Sequence, residues 1–224
     1  MIDKSQIKNN KEEVPWEHYL EQFRDIDPVA AAARCRIPYD EAAEEFTVVL
    51  LGVTYQVHFP DFTVRTEETG FAALRELMSA KILVIRYLIE GTYFPAGGKY
   101  LTFRESPWGE VYHVQFSGRC LSRLAFGFGY KLPVFAEAMR ALGGERVSTG
   151  DEGYRFELMP GFTLQFILWG ADDEFQPSAQ ILFSDNIPLS FSAEDLVVMA
   201  EIAITTLKKT TQRSGNKKQT EAGR

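Results

Sequence analysis

Four cations fall between Lys99 and Arg123, with a tryptophan among them, in a chain whose 31 acids outnumber its 24 bases. They are Lys99, Arg104, Arg119 and Arg123, and the aromatic residue is Trp108, set in a Ser-Pro-Trp-Gly turn. A guanidinium presents a planar fork that grips carboxylate or phosphate through two parallel hydrogen bonds. Such a region, with Trp108 stacking on the ligand and Trp169 nearby, is expected to receive an anionic small molecule or cofactor, or a redox partner protein. The competing expectation is internal: Arg104 and Arg119 pair with Glu105, Asp172 or Glu174 and orient loops.

A second group is acidic. Asp172, Asp173 and Glu174 follow Trp169 at a strand end, where hard oxygen ligands for magnesium or calcium would be presented. As a metal site, or as a general acid and base, they would make the protein a metal-dependent enzyme. The alternative is a solvated acidic loop.

Other chemistries fail on spacing. The Gly97-Gly98-Lys99 run has Tyr93 where a phosphate loop needs its first glycine and Tyr100 where it needs Ser or Thr. Gly127-Phe128-Gly129 lacks the third glycine of a dinucleotide fingerprint. His18, His58 and His113 lie on separate elements, Cys35 and Cys120 have no CxxC or Cys/His spacing, and there is no GxSxG elbow.

The net charge of −7 hides an uneven distribution. Lys208, Lys209, Arg213, Lys217, Lys218 and Arg224 face only Glu221 at the C-terminal end, so the body is more acidic than the total. An acidic body repels nucleic acid and anionic membrane alike, leaving DNA binding to the basic tail as the last-ranked class. The opening MIDKSQIKNN has no apolar core of a signal peptide, and no run reaches the roughly 18 apolar residues of a membrane span. These features predict a cytoplasmic protein with reduced thiols.

The elements that would position these groups follow from periodicity. Trp16, Tyr19, Leu20 and Phe23 recur at helical spacing after Pro15, and Asp27-Pro28 opens a second helix running to about Cys35. FTVVLLG and VTYQVHF form a hairpin about Gly52, and Phe71–Glu90 reads as one buried helix. A second hairpin is expected to end in a strand where Tyr112, Val114 and Phe116 alternate with His113 and Gln115. Ser117 would then cap a helix carrying Arg119, Cys120 and Arg123 on to the FGFG break, and another helix follows from about Pro133 to Leu142. YRFEL and FTLQFILW flank Pro160-Gly161 as a third hairpin, AQILF adds a strand, and Ser192 with Asp195 boxes the start of a helix ending at Leu207. Adjacent hairpins with helices grouped around them predict an α+β fold with a largely antiparallel sheet. The expected organisation is a disordered segment 1–14, a single domain over 15–207, and a disordered basic tail over 208–224.

The succession ILVIRYL, GGKYLTFRESPWG, VYHVQFSGRCLSRLAFGFG, ALGG and LWGADDEFQPSAQILFSDNIPLSFSAEDL resembles the domain-of-unknown-function family 3786 of anaerobic bacteria and archaea, over about residues 25–207. The densest matches are Phe103-Arg104-Glu105, Arg119, Gly143-Gly144, Trp169, Asp172 through Phe175, and Ala193-Glu194-Asp195-Leu196. The resemblance implies no established activity. It implies work beside redox or corrinoid metabolism, because some members carry a cysteine-rich iron–sulfur module. This chain has only two cysteines, so an iron–sulfur or corrinoid protein would have to be a separate partner.

Overall fold

A computed structural model describes residues 13–222, with side chains from Val14 to Gln212. The expected disordered segment lies, but for its last two residues, outside the described residues. The fold is α+β with two antiparallel sheets. Its contacts group into two compact units, Met1–Val48 with Thr54–Tyr93, and Val49–Val53 with Phe94–Arg224.

The first unit holds α1 (Glu13–Arg24), α2 (Pro28–Cys35), α3 (Ala73–Glu76) and α4 (Met78–Glu90). Its sheet has the order β1 (Tyr39–Asp40), β2 (Glu45–Leu50), β3 (Val53–His58) and β4 (Val64–Arg65). Asp27 accepts from the Val29 and Ala30 amides and so caps α2 as its type requires. Leu51 and Gly52 both take positive φ, the turn geometry that matches the right-handed twist of paired strands. Phe23 fills the core, with ring contacts to Phe46, Phe59 and Phe62. The predicted single helix over 71–90 is divided, because Leu77 adopts extended backbone between α3 and α4.

In the second unit the sheet order is β5 (Tyr100–Thr102), β9 (Ser178–Ser184), β8 (Phe162–Trp169), β7 (Glu152–Met159) and β6 (Glu145–Val147). Around it lie α5 (Gly109–Phe116), α6 (Ser122–Phe128), α7 (Leu132–Ala141), α8 (Ile187–Ser190) and α9 (Ala193–Ala222). The expected second hairpin is corrected here. Residues 109–128 form one continuous helical run, with a π turn over Ser117–Leu121 joining α5 to α6, and Ser117 lies inside it rather than capping it. The alternation of Tyr112, Val114 and Phe116 misleads because only Phe116 goes into the core, where its ring stacks on Phe103 at 4.1 Å; Tyr112 and Val114 are exposed.

Gly109 lets this helix start. A Cβ there would lie 1.8 Å from the Phe103 carbonyl oxygen, so only hydrogen fits. The Ser192–Asp195 capping box is present, with both reciprocal hydrogen bonds made. α9 does not stop at Leu207, where apolar periodicity ends; it continues to Ala222 through a proline-free polar stretch. Among the described residues no helix is long and apolar enough to cross a membrane.

Candidate functional site

The π turn and α6 pack on α9, and the contact is organised as two rows of side chains. Arg119, Arg123 and Gly127 recur every fourth residue on one row. Glu201, Thr205 and Lys208 recur at matching intervals on the other, as helix geometry allows for residues three or four apart.

The first rung is a closed ion pair. Arg119 donates through Nε to Glu201 Oε1 at 3.0 Å and through Nη2 to Oε2 at 2.7 Å. The hydrogen bonds to Glu201 hold the guanidinium charge above even its ordinary range. One turn on, Arg123 Nη2 donates to Thr205 Oγ1 at 2.9 Å, while that hydroxyl donates to the Glu201 backbone carbonyl at 2.7 Å. At the third rung Lys208 lies over a glycine. A Cβ on Gly127 would sit 2.9 Å from Lys208 Cε and 3.2 Å from its Nζ.

Arg123 and Lys208 are both half-buried, and neither has a carboxylate partner among the described residues. Burial, and then the Arg123 charge, push the Lys208 ammonium below its usual pKa. Two like charges thus share one partly desolvated surface, next to a pair that is fully compensated.

The other sequence-predicted residues go elsewhere. Lys99 lies in an exposed loop whose amides are already occupied: Asp185 accepts from Gly97 N at 2.8 Å and from Lys99 N at 3.3 Å. A carboxylate of the chain itself sits where a phosphate loop would place its ligand. Arg104 faces Glu110 at 3.6 Å, both exposed. Trp108 is 73% exposed, in left-handed backbone with φ 64, and Trp169 is 37% exposed at the end of β8. No hydrogen bond or ion pair among the described residues ties these four to the α6–α9 rows.

The expected pairing of Arg104 and Arg119 with Glu105, Asp172 or Glu174 is corrected, since those acids have other work. Glu105 folds back onto the amide and hydroxyl of Thr102, which lowers its pKa. Asp172 accepts from the Glu174 and Phe175 amides at 2.9 and 2.7 Å, which holds its carboxyl below the usual range. Its role is to close the loop, leaving Phe175 67% exposed. Asp173 and Glu174 point to solvent. Among the described residues no group of three or more His, Cys, Asp or Glu side chains is placed to hold a metal ion, so the Asp172-Asp173-Glu174 set lacks convergence.

The thiols offer no nucleophile. Burial raises Cys35 to about 11 and Cys120 to about 12, so both stay protonated near neutrality. The residues that sequence reading missed are Gly127, Glu201, Thr205 and Lys208. The every-fourth-residue series Arg119, Arg123, Gly127 was the available signal, but it has meaning only on an unbroken helix.

The family model described as "Domain of unknown function (DUF3786)" matches residues 27–206. The match takes in Arg119, Arg123, Glu201 and Thr205 and ends two residues before Lys208. No curated protein and no solved structure matches the chain.

Proposed function

The chain belongs to the DUF3786 family, and we propose that it is a binding module for an anionic small molecule, held between α6 and α9 by Arg123 and Lys208. The observation that carries this is the pair of half-buried cations without a carboxylate. Each raises the cost of charging the other, and a bound anion would reverse that cost while filling Arg123's remaining donors. Arg119 serves as a positioning residue: its bond to Glu201 fixes the register that brings Thr205 to Arg123. A catalytic role for Asp172, Asp173 and Glu174 gains no support from their arrangement, because Asp172 is engaged with backbone amides.

Inorganic pyrophosphate is a suitable first probe. At a concentration 100 times its dissociation constant it should stabilise the folded chain by about 2.7 kcal/mol, a rise of roughly 5–10 °C in melting temperature for a protein of this size. The shift should disappear in Arg123→Ala and in Lys208→Ala. Equal shifts in the wild type and both variants, or none with pyrophosphate, sulfate and di- or tricarboxylates, would refute the proposal.

A further inference from the structure

The cation pair borders two aromatic rings that the packing leaves uncovered. Phe126, in the last turn of α6, and Tyr130, in the turn that follows it, are 57% and 58% exposed. At 3.6 residues per turn, Arg123, Phe126 and Gly127 fall within an arc of roughly 100°, and Tyr130 follows in the turn just past the helix end. The opposite side of the same helix, Leu124, Ala125 and Phe128, is buried. The cations border α9 on one edge of this exposed stripe, and the two rings form its other edge.

The Tyr130 ring is tied to the neighbouring loop. Tyr130 donates its hydroxyl to Gln176, and a Cβ on Gly129 would meet Pro177 at 2.2 Å, so the turn after α6 is pressed directly on the loop before β9. That loop is closed by Asp172 and carries the exposed Phe175. Single exposed aromatics need no explanation. Two of them, four residues apart and next in sequence to an uncompensated cation pair, offer a surface for a ligand with a flat face and a negative group.

Resting on the anion-binding reading above, we infer that the ligand is a phosphate or carboxylate carried on a planar aromatic or conjugated ring, with the ring laid on Phe126 and Tyr130 and the anion between Arg123 and Lys208. The exposed carboxylates Asp173 and Glu174 beside Phe175 repel an extended polyanion, which favours a small ligand over a nucleic-acid strand. Stacking on an aromatic side chain strengthens binding of a ring by about tenfold or more.

The test compares ribose 5-phosphate with AMP and flavin mononucleotide on the full chain by isothermal titration calorimetry. AMP or flavin mononucleotide should bind about tenfold more tightly than ribose 5-phosphate. The double variant Phe126→Ala, Tyr130→Ala should erase that advantage and leave ribose 5-phosphate affinity unchanged, while Phe126→Leu, which keeps an apolar side chain, should lose part of it. Equal affinity of all three probes for the wild type, or a ring advantage that survives the double variant, overturns the ring inference and leaves anion binding standing. Failure of all three to bind while pyrophosphate still raises the melting temperature overturns the ring inference alone; failure of pyrophosphate as well overturns both.

Discussion

Arg119 and Arg123 stand one turn apart on the same helical run and face the same partner helix, yet they meet opposite electrostatic conditions. Arg119 is closed by both oxygens of Glu201; Arg123 has a hydroxyl on one side and a second cation, Lys208, within its field. The first arrangement is complete in itself and holds two helices in register. The second has no carboxylate among the described residues, and the proposed anion would complete it. In a generally acidic protein, with carboxylates abundant elsewhere, an arginine and a lysine left together are the reason the proposed anion site is placed here.

The largest effect should come from breaking the closed rung. Glu201→Ala leaves Arg119 unpaired above Arg123 and Lys208, and urea unfolding should show a loss of about 1–2 kcal/mol that shrinks in high salt. A loss equal at all salt concentrations would mean that packing, not charge, dominates that rung.

Gly127→Ala sharpens the comparison differently. Alanine favours a helix over glycine by about 1 kcal/mol, while its methyl displaces the Lys208 chain, whose far end can move. The variant should be up to about 1 kcal/mol more stable and bind pyrophosphate more weakly. A stable variant with unchanged affinity would remove Lys208 from the site.

Removing one cation at the open rung should have the smallest effect at neutral pH. Arg123→Ala or Lys208→Met, without ligand, should change stability by no more than about 0.5 kcal/mol, in contrast to Glu201→Ala. The pH dependence then has a defined sign. Because the folded-state pKa of Lys208 lies below its usual 10.5, the unfolded chain holds that proton more tightly. The resulting penalty is present at neutral pH and fades as pH rises through the lowered value toward 10.5. The stability of the wild type should therefore improve relative to Lys208→Met across that interval, measured as the difference between their urea midpoints. The raised thiols of Cys35 and Cys120 act oppositely, losing stability above about 9, but they are common to both proteins and cancel.

Much of the scaffold was legible in the residues. Asp27 and Ser192 announce helix starts through side chains that have one good use there, and the β7–β8 hairpin follows from strict alternation around Pro160-Gly161. Residues 109–116 were not legible, because Val111, Tyr112 and Val114 are apolar yet exposed, so hydrophobic period no longer reports burial. That misreading stopped short of Arg119 and Arg123, which read correctly as one helical face; their partners on α9 were what local pattern could not supply. Lys208 was hidden for another reason. Its partner row is more than eighty residues distant in sequence, and it lies just past the last apolar residue of α9, where a local pattern reads as an end.

The π turn over Ser117–Leu121 bears on how both rows stay aligned. In an ordinary α-helix a side chain repeated every fourth residue advances around the axis by about 40° each time, so Phe116, Cys120, Leu124 and Phe128 would precess out of the core before the series ended. All four are buried. One wider turn subtracts from that precession, and in the outward series the same correction acts on the step from Arg119 to Arg123, which crosses it. The insertion thus works as a phase adjustment: it lets a four-residue rhythm cross from α5 into α6 on a 3.6-residue helix without turning its buried side away from the core.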